Sequence, residues 1–341
     1  MVFHLWQAAG QPAFGIGPLD LTFLAGAGYF GVDLFFVLSG YLLGGPFLRA
    51  RAGLAGPPSW RRFWIHRVRR VLPAYWTQLV LLCLVAWLAG QGWPLGARDF
   101  LLLASLLFNI EFNAPALNPV YWSLPVEWNF YLALPLLVAL WPRTRTHWLP
   151  IAVAVAAAIA FRLLCWWVWA RYGADGIWFA RWIIQLPGRV DQFVIGMAVA
   201  AIGVRGGLAE HGRWVGTAAV AAVAAIAAYA HSLGDFIGSP RAPWLFVHFT
   251  LVALAFGAVI WAAVHAPSSL LARALRSRVL VLMGVVSYSL YLWHYPLIGW
   301  LASLRLQLPG TATWALVVSL VVVAAASLSY RLVERPFLAR S

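Results

Sequence analysis

Nine apolar runs follow one another along the chain, near residues 29–48, 72–90, 126–141, 149–170, 187–204, 214–231, 244–265, 280–303 and 312–332. Each approaches the roughly 20 residues that carry a helix across a bilayer, the run at 126–141 being the shortest. Inside hydrocarbon every backbone N–H and C=O needs a partner within the protein, and a helix supplies those partners from its own segment. The runs therefore predict an all-α, polytopic transmembrane helix bundle. Composition agrees: 63% of residues are hydrophobic and 10% charged, whereas about a quarter are charged in soluble domains. Cys83 and Cys165 both sit inside apolar runs, which excludes a disulfide framework or a thiolate metal site. The opening MVFHLWQAAG is apolar but meets the Gly10–Pro12 break too soon to cross alone. It reads as the end of a first helix whose beginning is missing, giving about ten spans with the first truncated.

Arginine sets the orientation. All 24 basic residues are arginine, and 10 acids leave a net charge of +14. A nucleic-acid binder could be as basic, but here the arginines fall between apolar runs instead of along one amphipathic face. If 98–112 does not cross, 17 arginines collect on one side: Arg49 to Arg70, Arg143 and Arg145, Arg205 and Arg213, Arg273 to Arg278, and Arg331 to Arg340. The opposite side holds Arg98, Arg171, Arg181, Arg241 and Arg305, and Arg162 and Arg189 lie within spans. By the positive-inside rule the richer side is cytoplasmic. Both termini are then cytoplasmic and 91–125 is an outer or re-entrant segment. With no large hydrophilic insert or internal repeat, residues 1–341 are expected to form one membrane domain, with no soluble domain after the last helix.

A charged group at the bilayer centre costs about 2.5–3.5 kcal/mol on insertion scales, so each one needs a function or a buried partner. The candidates are His4, Asp33, Glu127, Arg162, Arg189, Asp191 and His294. Asp33 suits either a functional role or neutralisation of an arginine within the bundle, and Arg162 has no evident partner in sequence. In LPGRVDQFVIGMA, Arg189, Gln192, Phe193 and Gly196 share a helical face, the glycine permitting close helix approach. In SYSLYLWHYP, Ser287, Tyr291 and His294 share another, and in YWSLPVEWNFYLALP Glu127 and Tyr131 are one turn apart. The 21 tryptophans fit an interfacial aromatic belt as well as a sugar-stacking surface.

The segments VFHLW, GYFGVDLFFVLSGYLL, FWIHRVRRVLPAYW, YWSLPVEWNFYLALP, GRVDQFVIGM, GVVSYSLYLWHYPL and YRLVERPF, in that order and across nearly the whole chain, resemble the acyltransferase-3 family of integral membrane O-acyltransferases. The resemblance implies an acyl-CoA donor, acetyl-CoA foremost, on the cytoplasmic side of a bacterial inner membrane, and a hydroxyl acceptor on a glycan, lipid-linked sugar or secondary metabolite. It implies His4 and Glu127 as catalytic residues, Arg67 and Arg70, from the family's Arg-x-x-Arg motif, as the donor-binding pair, and Arg189, Tyr291, His294 and Ser39 at the acceptor. No metal and no nucleic acid are expected. The family carries an arginine about ten positions before the first-helix histidine, where this sequence has only Met1 to Phe3. An upstream extension of roughly 10–25 residues is therefore expected to complete the first span.

The residue types make chemical sense beside the resemblance. Acyl transfer from a thioester needs a base for the hydroxyl proton, and neutral histidine titrates near working pH. Guanidinium forks at the membrane edge suit the phosphates of coenzyme A. A transporter or lipid flippase would use the same intramembrane residue types, but such folds carry repeated halves with interrupted helices, and no such symmetry is legible here.

Overall fold

Pro296 sits inside an apolar helix and has no backbone N–H to give to the carbonyl of Leu292, four residues earlier. In lipid that carbonyl would be an orphan. In the computed structural model it accepts from Gln78 Nε2 at 2.6 Å and from Asn118 Nδ2 at 3.0 Å, while Tyr121 Oη donates to Gln78 Oε1 at 2.8 Å. One missing donor thus recruits three polar side chains from separate elements. Gln78→Leu should lower stability by about 1–3 kcal/mol, the penalty for exposing buried partners to no partner. Thermal unfolding in detergent measures this, and an unchanged midpoint would show the network to be dispensable.

The structure describes residues 1–17, 19–109, 117–142, 148–173, 176–202, 211–234, 243–304 and 310–339. Arg143, Arg145, Arg205, Arg241, Arg305 and Arg340, used above to infer orientation, lie outside them. The described chain is almost wholly helical: α1 (Val2–Ala8), α2 (Thr22–Arg51), α3 (Trp60–Gln91), α4 (Ala97–Ala104), α5 (Pro119–Leu140), α6 (Trp148–Tyr172), α7 (Gly176–Ile183), α8 (Val190–Ile202), α9 (Gly212–Ser232), α10 (His248–His265), α11 (Leu270–Leu275), α12 (Arg278–Val285), α13 (Ser287–Ser303) and α14 (Thr311–Leu338). A two-stranded hairpin pairs Gly15 with Asp20 and Ile16 with Leu19.

Seven of these helices, α2, α3, α5, α6, α9, α10 and α14, are long and apolar enough to cross a membrane. The apolar run expected at 280–303 is divided between α12 and α13, which meet at a bend of 76° and make an eighth crossing only if the pair is one span. The 13 residues of α8 form a shorter apolar helix, and α1 has seven residues. In the doubtful stretch 98–112 the described helix is only α4. Its terminal carbonyls, Leu103 O and Ala104 O, are taken by Tyr75 Oη and Trp76 Nε1 of α3, each at 2.8 Å. Aromatic donors thereby do the capping that water would otherwise do.

The helices group into two compact units, residues 1–25, 59–125 and 278–341 in one and residues 26–58 and 126–277 in the other. The first is built on α1, α3, α4, α12, α13 and α14. A small apolar core of Leu5, Ile298, Leu301, Val318 and Val322 joins α1, α13 and α14. α3 begins at Ser59, whose hydroxyl accepts the Arg62 N–H, an ordinary N-cap.

The second unit is organised by small residues. α2 and α8 approach so closely that a Cβ on Gly40 would strike the Phe193 carbonyl and one on Gly196 the Val37 carbonyl. Gly44 faces Met197 and Gly45 faces Ala200 in the same seam, the close approach expected of Gly196. Helices in lipid gain nothing by hiding apolar surface from tails, so contact distance decides association and glycine permits it. α9 and α10 repeat the device with Gly212 against Ala266 and Gly216 against Ala262. The last carbonyls of α5 are closed by Arg51, which donates to Ala139 O at 2.7 Å and Trp141 O at 2.9 Å.

Candidate active site

In the first unit His4 and His294 meet. The rings of His4 on α1 and His294 on α13 lie 5.2 Å apart, with Tyr295 edge-on to His4 at 5.0 Å. His4 Nδ1 faces Gln7 Oε1 at 3.1 Å. An amide oxygen only accepts, so this contact places the ring proton on Nδ1 and leaves the Nε2 lone pair as the basic site. His294 Nδ1 faces the carbonyls of Tyr291 at 2.7 Å and Leu290 at 3.1 Å, which fixes its proton on Nδ1 by the same reasoning. Tyr291, with its ring 5.9 Å from that of His294, is turned by its hydroxyl toward Ser123 Oγ at 2.6 Å and donates to the Val120 carbonyl. Thus His4, His294 and Tyr291 form one line of rings.

The arginine motif lies on α3 in the same unit. Arg67 Nη2 is 2.6 Å from His66 Nδ1. Arg70 Nη1 pairs with Glu334 Oε2 at 2.7 Å and its guanidinium lies 5.8 Å from the centre of the Tyr288 ring. Glu334 is buried on α14 and also accepts from Ser289 Oγ. Within YRLVERPF, sequence alone gives Glu334 no role. A carboxylate flanked by Arg331 and Arg335 resembles a solvated edge residue, and only its burial sets it apart.

In the second unit Glu127 is buried on α5 and accepts from Ser39 Oγ of α2 at 3.1 Å. Two residues proposed for different roles therefore touch. Arg189 is also buried and pairs with Asp33 at 2.7 Å, while Gln192 donates to the same Asp33 oxygen at 2.6 Å. The Arg189 guanidinium stands 3.4 Å above the centre of the Phe249 ring. Asp33 thus neutralises a bundle arginine, as one of its two sequence readings held.

Arg162 has the fullest set of partners. Nε donates to Gly188 O, Nη1 to Phe246 O and to Thr250 Oγ1, and Nη2 to both carboxylate oxygens of Asp191, all at 2.8–2.9 Å. Thr250 Oγ1 in turn donates to Asp191 Oδ2. Five guanidinium N–H groups meet five acceptors, which is complete satisfaction for an arginine. Thr250 and the Gly188 and Phe246 carbonyls could not be paired with Arg162 from sequence, because they come from segments 26 to 88 residues away.

These features define an integral membrane protein, all-α and polytopic, in which the buried charges Asp33, Arg162, Arg189, Asp191 and Glu334 are ion-paired. More particularly, the chain belongs to the acyltransferase-3 family, whose description, Acyltransferase domain, matches residues 1–331. Among curated proteins it is 27% identical over 332 residues to the YrhL protein of Bacillus subtilis, covering 92% of this chain and 51% of that one. It is 27% identical over 337 residues to the O-acetyltransferase OatA of Staphylococcus aureus, covering 93% and 54%. It is 25% identical over 330 residues to the peptidoglycan O-acetyltransferase OatA of Listeria monocytogenes, covering 92% and 51%. The chain therefore spans about half the length of the curated relatives it matches. No solved structure matches it.

Proposed function

We propose that the protein is a membrane-bound O-acyltransferase that moves an acetyl group from acetyl-CoA, held at the cytoplasmic face of a bacterial inner membrane, to a hydroxyl of a carbohydrate acceptor. The observation that carries this reading is the histidine pair: His4 has its proton directed to Gln7, its Nε2 lone pair free of that contact, and a second ring beside it. In the reaction the acceptor hydroxyl attacks the acetyl carbonyl, its proton passes to His4 Nε2, the C–S bond breaks, and the coenzyme thiolate takes a proton. Family membership supports the acyl transfer, and the names of the relatives support acetyl as the group and a glycan as the acceptor class. Glu127, with Ser39 donating to one of its oxygens, is assigned a catalytic role within the second unit. Tyr291 and His294 line the same region as His4.

Arg67 and Arg70 are assigned to the donor phosphates, since guanidinium forks one helical turn apart match phosphate geometry. Replacing either with glutamine should raise the apparent KM for acetyl-CoA more than that for the acceptor, because the lost contact belongs mainly to ground-state binding. Arg69, about 100° or more around the helix, is the internal control. Equal effects on both substrates would return the pair to a membrane-anchoring role. The overall reading is tested with purified protein in proteoliposomes, acetyl-labelled acetyl-CoA and a carbohydrate acceptor. Release of free coenzyme A with label in the acceptor supports it; label that crosses the bilayer with no thioester cleaved identifies a transporter instead.

A further inference from the structure

The bend between α12 and α13 starts a new helix at Ser287, and its first N–H groups lack intrahelical acceptors. Glu334 is placed at that start. Its carboxylate accepts from the hydroxyl of Ser289. Ser289 Oγ in turn lies 3.2 Å from Ser329 Oγ, which also accepts from Trp293 Nε1 at 3.0 Å. Glu334 itself is 1% exposed, whereas the side chain of Arg70, which it pairs, is 24% exposed. The geometry is that of a buried anchor holding the inner edge of a guanidinium whose outer edge reaches the surface. One Nη1 contact to Glu334 leaves the remaining guanidinium donors for another anion, and the Tyr288 ring beside Arg70, its hydroxyl tied to Val71 O at 2.9 Å, limits the swing of the fork.

We propose that Glu334 is a positioning residue of the donor site: through Arg70 it fixes the orientation of the guanidinium that grips the coenzyme phosphates, and Ser289 fixes Glu334. This rests on the assignment of Arg70 to the donor. Holding the fork in place before binding removes the ordering cost of a long side chain, so its effect falls on donor affinity. The carboxylate is spent on Arg70 and on the start of α13, so it touches no reacting atom.

The test uses the whole chain in proteoliposomes, with acetyl-CoA and with S-acetylpantetheine, a donor that lacks the nucleotide phosphates. Glu334→Gln is expected to raise the KM for acetyl-CoA about 10- to 100-fold, the scale of a lost charge-assisted contact. It should leave kcat and the rate with S-acetylpantetheine within about threefold, and in the double variant with Arg70→Gln the KM should be no higher than in Arg70→Gln alone, as for residues acting through one contact. The proposal is overturned if Glu334→Gln leaves the KM unchanged while Arg70→Gln raises it, if the two effects multiply, or if S-acetylpantetheine turnover falls equally. Arg70→Gln with an unchanged KM would instead remove the donor assignment of Arg70 and the inference with it. A loss of activity that tracks anionic lipid content, with the KM unmoved, assigns Arg70 to a lipid headgroup and likewise overturns it. Should Glu334→Gln fail to accumulate, Ser289→Ala carries the question: a smaller rise in the same KM supports the positioning role, and none refutes it.

Discussion

His4→Ala reduces acetyl transfer by about 10²–10⁴-fold, the contribution of a positioned general base, and leaves the yield and thermal midpoint of the detergent-solubilised protein near those of wild type. The stability expectation follows from the surroundings of His4: it is half-buried on a short helix, its hydrogen bond is to Gln7 on the same helix, and its ring meets the rings of His294, Tyr295 and Phe3. Removing it opens no buried carbonyl and strands no charge. Gln7→Ala should reproduce a fraction of the loss, because it frees the ring to place its proton on Nε2 and so withdraws the base. Activity of His4→Ala within threefold of wild type would remove the general-base assignment. A parallel collapse of stability would make the residue a packing element instead.

Arg162→Leu has the opposite signature. It should cost about 3–5 kcal/mol of stability, because removing one partner of a buried pair leaves the other charge uncompensated. Asp191 would keep only Thr250 Oγ1 and the Gln192 N–H, and the carbonyls of Gly188 and Phe246 would lose a donor in apolar surroundings. The double change Arg162→Leu with Asp191→Leu should recover part of that loss, since the stranded charge is gone, but not all of it, since those two carbonyls remain without their donor. Thermal unfolding of the two variants in the same detergent decides the matter. A double variant no better than Arg162→Leu would mean that the backbone carbonyls, and not the ion pair, carry the cost.

The fold class was legible because it depends on local quantities. Runs of about 20 apolar residues, 63% hydrophobic composition and arginines clustered between the runs are each determined by a stretch of chain and its solvent, and hydrocarbon permits few structures for such a stretch. The close approach at Gly196 and the polar face of the SYSLYLWHYP segment were likewise readable, since helical periodicity puts i, i+3 and i+4 on one side. The order of the motifs was also enough to bring out the family resemblance.

Partnership was decided elsewhere. Nothing in sequence says that Glu334 reaches back 264 residues to Arg70, that Gln78 and Asn118 answer the gap left by Pro296, or that Arg162 is clasped by Asp191 and Thr250. The break at Val286 was hidden too, because apolar residues continue on both sides of it and Glu334, which accepts from Ser289 Oγ, lies on α14. The physical reason is the same in each case. Crossing a membrane is a property of one segment against lipid, whereas satisfying a buried polar group requires a second group whose position is fixed only when the helices assemble.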